Sequence, residues 1–225
     1  MCRRYERGMT RLRGHRPSPA SVTMATNPHL QHAPEHVGPS PDDALVVVVA
    51  VHGRGQSPQY LREHLVERLD DPDICWLLPA AHDHVWYPAG FMAPAADNQP
   101  GIDHSLEAID RIALSLAHRP DERIVWAGFS QGACLVSEWV ARHPRRWGAL
   151  LAFTGGRLGP EGTELEIDTT GGRFDGMPAY FGAGARDAWV PMLRVEHTAD
   201  AYRSAGAVVT IDAFDDDLHE IRSAE

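Results

Sequence analysis

Apolar and polar positions follow two alternating patterns from residue 44 onward. Short runs of β-branched and other apolar residues alternate with longer stretches in which apolar residues recur every three or four positions. The short runs predict buried strands and the longer stretches predict amphipathic helices, which is the pattern of βαβ units. The predicted strands cover residues 44–51, 74–78, 123–129, 148–153, 179–183 and 208–213. Strands so uniformly apolar indicate an α/β fold with a mainly parallel sheet and helices on both faces.

The same periodicity places helices between these strands. The first begins at Ser57-Pro58 and brings Tyr60, Leu61, Leu65 and Leu69 onto one face. A longer helix carries Leu106, Ile109, Ile112, Ala113 and Leu116 and ends before Pro120, and two more are predicted for residues 131–142 and about 192–204. Two long loops remain, residues 79–101 and the glycine-rich residues 155–176.

Residues 1–43 show no sustained hydrophobic period and are rich in proline, arginine and histidine. A segment of this kind lacks the means to bury a core of its own. We therefore expect a disordered or extended N-terminal arm at 1–43 and an α/β domain at 44–225. The arginine-rich start lacks the apolar stretch of a secretory signal.

Composition narrows the classes of function. The 225 residues are 43% hydrophobic and 23% charged, as in ordinary globular domains. No apolar run approaches the roughly 20 residues of a membrane-spanning helix. A formal charge of −10 argues against binding to nucleic acid. The three cysteines, Cys2, Cys75 and Cys134, have no paired spacing, which favours a reducing compartment and hence the cytoplasm.

The most specific motif is Gly128-Phe129-Ser130-Gln131-Gly132, at the passage from a predicted strand into a predicted helix. A serine at such a turn is lifted above the sheet edge, and glycines on either side let strand and helix approach. The helix that begins at Gln131 directs free amides and its positive dipole end toward the serine. Ser130 is therefore the candidate nucleophile.

A serine nucleophile needs a histidine base and an acid that orients it. In α/β-hydrolases the chain order is serine, acid, histidine, which favours Asp187 and His219, each just past a predicted strand. Two other histidines are better explained as surface residues, because His197 falls within a predicted helix and His143 lies at a helix end before Pro144. The rival acids are Asp175 and the run 215–217, and that run is interpreted as a solvated loop.

The motif His52-Gly53-Arg54-Gly55 ends the first strong strand, where hydrolases supply a second oxyanion amide. The main-chain amides of Arg54 and Gln131 are the predicted donors of the oxyanion hole. We expect His52 to form structural hydrogen bonds rather than to act in catalysis. The Arg54 side chain has two open interpretations, steering of an anionic substrate or exposure to solvent.

Four apolar or aromatic residues in the loop before the central helix predict a substrate slot: Trp86, Tyr87, Phe91 and Met92. The alternative is that they only pin this loop to the core. No metal site is predicted at His82, Asp83 and His84, because alternate residues of an extended segment point to opposite sides. Cys134 is expected to be a small buried side chain.

Five motifs together resemble the phospholipase/carboxylesterase family of α/β-hydrolases, which includes bacterial carboxylesterases and acyl-protein thioesterases. They are His52-Gly53-Arg54-Gly55, Trp86-Tyr87-Pro88, the Ser130 motif, Asp187-Ala188-Trp189-Val190-Pro191 and His219-Glu220-Ile221. The resemblance implies a lidless α/β-hydrolase fold with six to seven strands and a catalytic triad of Ser130, Asp187 and His219. It also implies hydrolysis of a small-molecule ester or thioester without a metal or cofactor.

Three alternatives stay open at this point. The enzyme could instead be a hydrolase like dienelactone hydrolase, or a peptidase. The fold could also be catalytically silent and bind a ligand or partner. A homodimer is a further open alternative.

Overall fold

The computed structural model describes residues 26–222 and contains one seven-stranded sheet. The strand order is β1-β3-β2-β4-β5-β6-β7, and every neighbouring pair is parallel except β1 with β3. The strands are β1 (Glu35–Val37), β2 (Val46–Val51), β3 (Ile74–Leu78), β4 (Ile124–Phe129), β5 (Ala149–Phe153), β6 (Pro178–Gly184) and β7 (Val208–Phe214). The predicted mainly parallel α/β sheet is confirmed, and the six predicted strands recur with shifts of at most two residues.

Strand β1 is the seventh strand, and the sequence did not predict it. It pairs with β3 at the edge of the sheet, with Glu35 opposite Leu78, and it lies inside the segment assigned to the N-terminal arm. Three residues are too few to show a period, and this strand forms through main-chain pairing. The sheet therefore begins before Ala44, where the domain was predicted to start. Residues 1–25 of the predicted arm lie outside the described residues.

Helices cover both faces of the sheet. The first helical segment runs as α1 (Pro58–Leu61), a π-helical turn (Arg62–Val66) and α2 (Glu67–Leu69), and the long helices are α3 (Gly101–Ser115), α4 (Gln131–Arg142) and α5 (Met192–Ser204). The long helices pack on one face, where Ile109, Leu135 and Val195 join a single apolar cluster. Leu61 and Ile221 pack on the opposite face. No helix among residues 26–222 is long and apolar enough to cross a membrane.

Candidate active site

Ser130 occupies a strained turn between β4 and α4. Its φ of 53° and ψ of −117° lie outside the regions that L-residues favour, and its N–H donates to the Phe153 carbonyl at 2.9 Å. Both glycines of the motif are required, because a side chain at either position would overlap the neighbouring backbone. A Cβ at Gly128 would lie 2.6 Å from the Gly132 carbonyl, and one at Gly132 would lie 2.1 Å from the Val51 oxygen. The sequence therefore forces the serine hydroxyl out of the sheet edge.

A chain of hydrogen bonds joins the three predicted triad residues. His219 Nε2 lies 2.7 Å from Ser130 Oγ, and His219 Nδ1 lies 2.6 Å from Asp187 Oδ2. Asp187 follows β6 and His219 follows β7, so three carboxyl ends of parallel strands supply the group. With Asp187 ionised, Nδ1 donates to the carboxylate and neutral Nε2 is left to accept the serine proton.

Main-chain amides fix the second oxygen of the Asp187 carboxylate. Oδ1 accepts hydrogen bonds from the Trp189 N–H at 2.7 Å and the Val190 N–H at 3.1 Å. The Asp187 side chain is completely buried, whereas the His219 side chain is 22% exposed. Both carboxylate oxygens therefore have donors, and the rotamer is held by the backbone.

The rival acids have other partners or lie elsewhere. Asp215 binds Arg186, and Asp216 accepts a hydrogen bond from Arg222 at 2.6 Å. Asp175 lines a separate groove. The run 215–217, interpreted from sequence as a solvated loop, is thus tied in part by arginines to its surroundings.

Two main-chain amides are available near Ser130 for an oxyanion. Within the described residues, neither the Arg54 N–H nor the Gln131 N–H has a protein acceptor. Gln131 is the first residue of α4, so its amide lies at the positive end of a 12-residue helix. The structure thus leaves both predicted donors of the oxyanion hole free.

The side chains of these two residues hold the loop that follows β3. The Arg54 guanidinium donates to the carbonyls of Tyr87, Pro88 and Ala89 at 2.8, 2.9 and 2.5 Å. Gln131 accepts from the Trp86 N–H at 2.9 Å and donates to the Tyr87 carbonyl at 2.8 Å. The Arg54 side chain is exposed, as one of its two interpretations held, but its guanidinium also binds backbone oxygens, a contact that neither interpretation included.

His52 forms structural hydrogen bonds, as its position predicted. Its Nδ1 donates to the Gly53 carbonyl at 2.7 Å, and its Nε2 accepts the Ala81 N–H at 3.0 Å. The ring is fully buried, and burial lowers the pKa of His52 to about 4. The neutral ring therefore braces the strand end beneath the candidate oxyanion hole.

A cavity of about 450 Å³ opens over Ser130. Of the four residues predicted to bind substrate, Tyr87 and Phe91 line it, whereas Trp86 and Met92 do not. Trp86 is buried, and its Nε1 donates to the His52 carbonyl at 2.9 Å, so it pins the loop instead. The other lining residues are Gly53, Arg54, Gln56, Pro88, Ala89, Gly90, Phe129, Ser130, Gln131, Cys134, Trp189, Val190 and His219.

Several residues of this wall were missed from sequence. Trp189 and Val190 stand beside the predicted acid in Asp187-Ala188-Trp189-Val190-Pro191, and an apolar pair in that position was the available signal. Gln56 gave no signal, because its side chain reaches the site only through the turn at 53–56, where it accepts the Gly53 N–H. Cys134 forms part of the wall, and burial raises the pKa of its thiol to about 12.

The histidine-rich turn before the cavity loop has structural partners. His82 donates its N–H to His29 Nδ1 at 3.0 Å, and His84 Nδ1 lies 2.8 Å from the Gln56 carbonyl. Among residues 26–222, no group of three or more histidine, cysteine, aspartate or glutamate side chains is arranged to hold a metal ion.

The chain is similar to proteins of one known family. The model of the phospholipase/carboxylesterase family matches residues 33–225. A phospholipase/carboxylesterase structure from Dyadobacter fermentans is 32% identical, with a TM-score of 0.75 over 86% of this chain and 92% of that one. The search of curated proteins found no match.

Two more distant structures share the fold. An acyl-protein thioesterase 2 from Zea mays is 19% identical, with a TM-score of 0.62 over 85% of this chain and 93% of that one. A carboxylesterase from Mesorhizobium loti is 20% identical, with a TM-score of 0.60 over 80% of this chain and 84% of that one.

Proposed function

The chain belongs to the phospholipase/carboxylesterase family of α/β-hydrolases, and from this premise we propose that it is a serine hydrolase that cleaves carboxylic esters or thioesters through an acyl-enzyme on Ser130. The observation that carries the proposal is the unbroken hydrogen-bonded path from Ser130 Oγ through the His219 ring to Asp187. The free amides of Arg54 and Gln131 beside it support the same chemistry.

Acylation begins when Ser130 Oγ attacks the substrate carbonyl while His219 Nε2 takes the hydroxyl proton. The positive charge on the His219 ring is balanced by the Asp187 carboxylate. The carbonyl oxygen becomes an oxyanion and accepts hydrogen bonds from the Arg54 and Gln131 amides. The intermediate then collapses, the bond to the leaving oxygen or sulfur breaks, and Nε2 returns the proton to that atom.

Deacylation repeats these steps with water as the nucleophile. His219 Nε2 takes a proton from water, the resulting hydroxide oxygen attacks the acyl carbonyl, and the same two amides hold the second oxyanion. Collapse breaks the bond to Ser130 Oγ, which recovers its proton from Nε2. The products are a carboxylic acid and an alcohol or thiol, and the enzyme is restored.

Turnover of p-nitrophenyl esters from acetate to octanoate between pH 6 and 9 tests this proposal. We expect Ser130→Ala to lower kcat by at least about 10³-fold. The matched control is Ser115→Ala, which changes an exposed serine at the end of α3 and should retain full activity. Acyl thioesters in a parallel series measure the preference between oxygen and sulfur leaving groups.

Three outcomes would contradict the proposal. A folded intact protein that hydrolyses no ester or thioester would favour a silent binding fold. Equal activity in the intact protein and Ser130→Ala would place the reaction elsewhere. Faster turnover of a lactone or an amide than of the matched open-chain ester would favour the dienelactone-hydrolase-like or peptidase alternative.

A further inference from the structure

Trp189 is the most exposed large apolar side chain in the described part of the protein. It is 75% exposed, whereas the other five tryptophans are at most 4% exposed. A single exposed apolar side chain is ordinary on a protein surface, so the position of this ring decides what it can do. Trp189 also lines the cavity that contains Ser130 and His219. The exposed ring and the reactive serine therefore share one opening.

The backbone that carries this ring is rigidly held. The Trp189 N–H donates to Asp187 Oδ1 at 2.7 Å, and the next residue, Val190, is buried in the core. Pro191 then caps the start of α5. A rigid backbone below a solvent-exposed ring presents a preformed contact surface, so little ordering entropy opposes binding to it.

Most of the cavity wall beside the ring is uncharged, which favours an apolar partner. Apart from the titratable His219, Arg54 is the charged residue of that wall, and its guanidinium is occupied by three backbone carbonyls. The remaining described wall residues include Tyr87, Phe91 and Val190, which offer apolar surface. An apolar substrate group lying against Trp189 would therefore meet further apolar surface inside the cavity.

We propose that Trp189 is a specificity-determining residue that packs against an extended apolar group of the substrate where this group leaves the cavity. The inference rests on the proposed hydrolase function and deepens it, because it assigns esters or thioesters with a long alkyl or aryl group as the preferred substrate class. That group belongs either to the acyl part or to the alcohol or thiol part, and the experiment below distinguishes the two.

The binding experiment uses the Ser130→Ala protein, so that esters bind without being cleaved. Acrylamide quenching of tryptophan fluorescence reports Trp189, because the other five rings are buried. We expect saturating octyl acetate or ethyl octanoate, added below its critical micelle concentration, to reduce the quenching constant by at least about half. Octyl acetate tests the alcohol side and ethyl octanoate tests the acyl side. Replacing Trp189 by phenylalanine should remove the quenching that comes from the exposed ring. Added ester should then leave the fluorescence of the five buried tryptophans unchanged.

The turnover experiment uses the active protein. Covering roughly 100 Å² of apolar surface corresponds to a change of about tenfold or more in kcat/KM. We therefore expect Trp189→Ala to lose at least tenfold more kcat/KM on the octyl or octanoyl ester than on ethyl acetate, with partial recovery in Trp189→Phe. The control is Leu114→Ala on α3, a side chain 70% exposed and remote from the cavity wall, which should keep the intact preference.

Defined outcomes overturn the inference. Quenching that no ester changes, together with an unaltered ester preference in Trp189→Ala, would show that the ring does not contact substrate. Protection by phosphatidylcholine vesicles but not by either ester would assign the ring to a lipid surface instead. Both results leave Ser130-dependent hydrolysis intact. An intact protein that hydrolyses no ester would instead contradict the proposed function. The effect of esters on quenching in Ser130→Ala would still show whether Trp189 contacts them.

Discussion

At the residue scale, Arg54 has two separate tasks at the mouth of the cavity. Its main-chain N–H is free beside Ser130, while its guanidinium binds three consecutive carbonyls of residues 87–89. The planar fork of arginine suits such a set of oxygens better than the single ammonium of lysine. One residue thus connects the oxyanion hole with the loop that supplies Tyr87 to the cavity.

Removing the guanidinium should loosen the cavity loop while the main-chain amide stays in place. We expect Arg54→Met to raise KM for p-nitrophenyl octanoate and to lower kcat/KM about tenfold, with a smaller change in kcat. Arg54→Lys should recover part of the loss, because an ammonium reaches fewer of the three carbonyls. Steady-state kinetics of the three proteins checks this. Arg111→Met, which removes an exposed arginine of α3, is the control, and equal behaviour of Arg54→Met and Arg111→Met would refute the clamp.

The residue types and their order along the chain were enough to predict where the candidate triad lies. Ser130 was recognisable because its glycines occur at a strand-to-helix passage, and Asp187 and His219 because they follow strands. The hydrogen bonds of the Arg54 side chain were not predictable, since their acceptors are carbonyls of residues 87–89, more than 30 positions away along the chain. For Trp86 the sequence left substrate contact and pinning of the loop open, and only the fold decides for the second, because it directs the indole N–H at the His52 carbonyl.

At the scale of elements, the contact between α4 and the end of β2 determines how close Ser130 comes to the oxyanion loop. Gly132 lies in the first turn of α4 and directly faces the carbonyls of Val51 and His52. A side chain there must push the helix away from the sheet, because backbone oxygens cannot rotate aside. The absence of a Cβ is thus a packing requirement of this junction.

Replacing Gly132 by alanine should destabilise the protein and displace Ser130. The new Cβ would stand 2.1 Å from the Val51 oxygen, so we expect a loss of about 2–4 kcal/mol in the free energy of unfolding. Urea denaturation followed by circular dichroism measures it. Gly171→Ala is the control, because a Cβ at that position meets nothing within 4 Å. Equal stability of the two variants would contradict the close packing.

Elements with clear start signals were predicted well from sequence. Helices α4 and α5 have the predicted bounds, because their starts coincide with the serine turn and with Pro191. The π-helical turn at Arg62–Val66 was not predicted, since a single shift in hydrogen bonding leaves the apolar pattern nearly unchanged. Strand β1 was missed because pairing with β3, rather than its own residues, makes it a strand.

At the scale of the whole molecule, buried neutral histidines link stability to pH. His52 and His29 each accept a backbone N–H, from Ala81 and His82 respectively, with a ring nitrogen that must be unprotonated. Burial lowers the pKa of His29 and lowers that of His52 to about 4. His29 lies in the segment before β1, so a hydrogen bond that needs a neutral histidine also holds this segment to the domain.

The free energy of unfolding should therefore fall as the pH falls below about 6.5. Between this pH and about 4, the unfolded chain binds a proton at His52 and the folded protein does not, so stability is complete above this window and is lost within it. The expected loss from His52 is about 3 kcal/mol, from the difference in pKa. Urea denaturation at pH 7.5, 6, 5 and 4 measures the slope.

Two variants test whether His52 causes this dependence of the free energy of unfolding on pH. His52→Gln keeps a donor and an acceptor but does not titrate, so it should flatten the pH dependence. His32→Gln changes an exposed histidine and should leave it unaltered. A slope that is identical in the intact protein and His52→Gln would show that the buried ring does not couple stability to pH.

The central claim, that Ser130 is the nucleophile, is tested most directly by covalent labelling with a fluorophosphonate. Ser130 Oγ should bond to phosphorus and displace fluoride, which adds one label to each chain in an intact mass spectrum. Trypsin releases residues 124–142, which also contain Ser137, so fragmentation must assign the label between the two serines. We predict stoichiometric labelling at Ser130 and none in Ser130→Ala. A folded protein that takes up no label, or takes it up at another residue, would contradict the account.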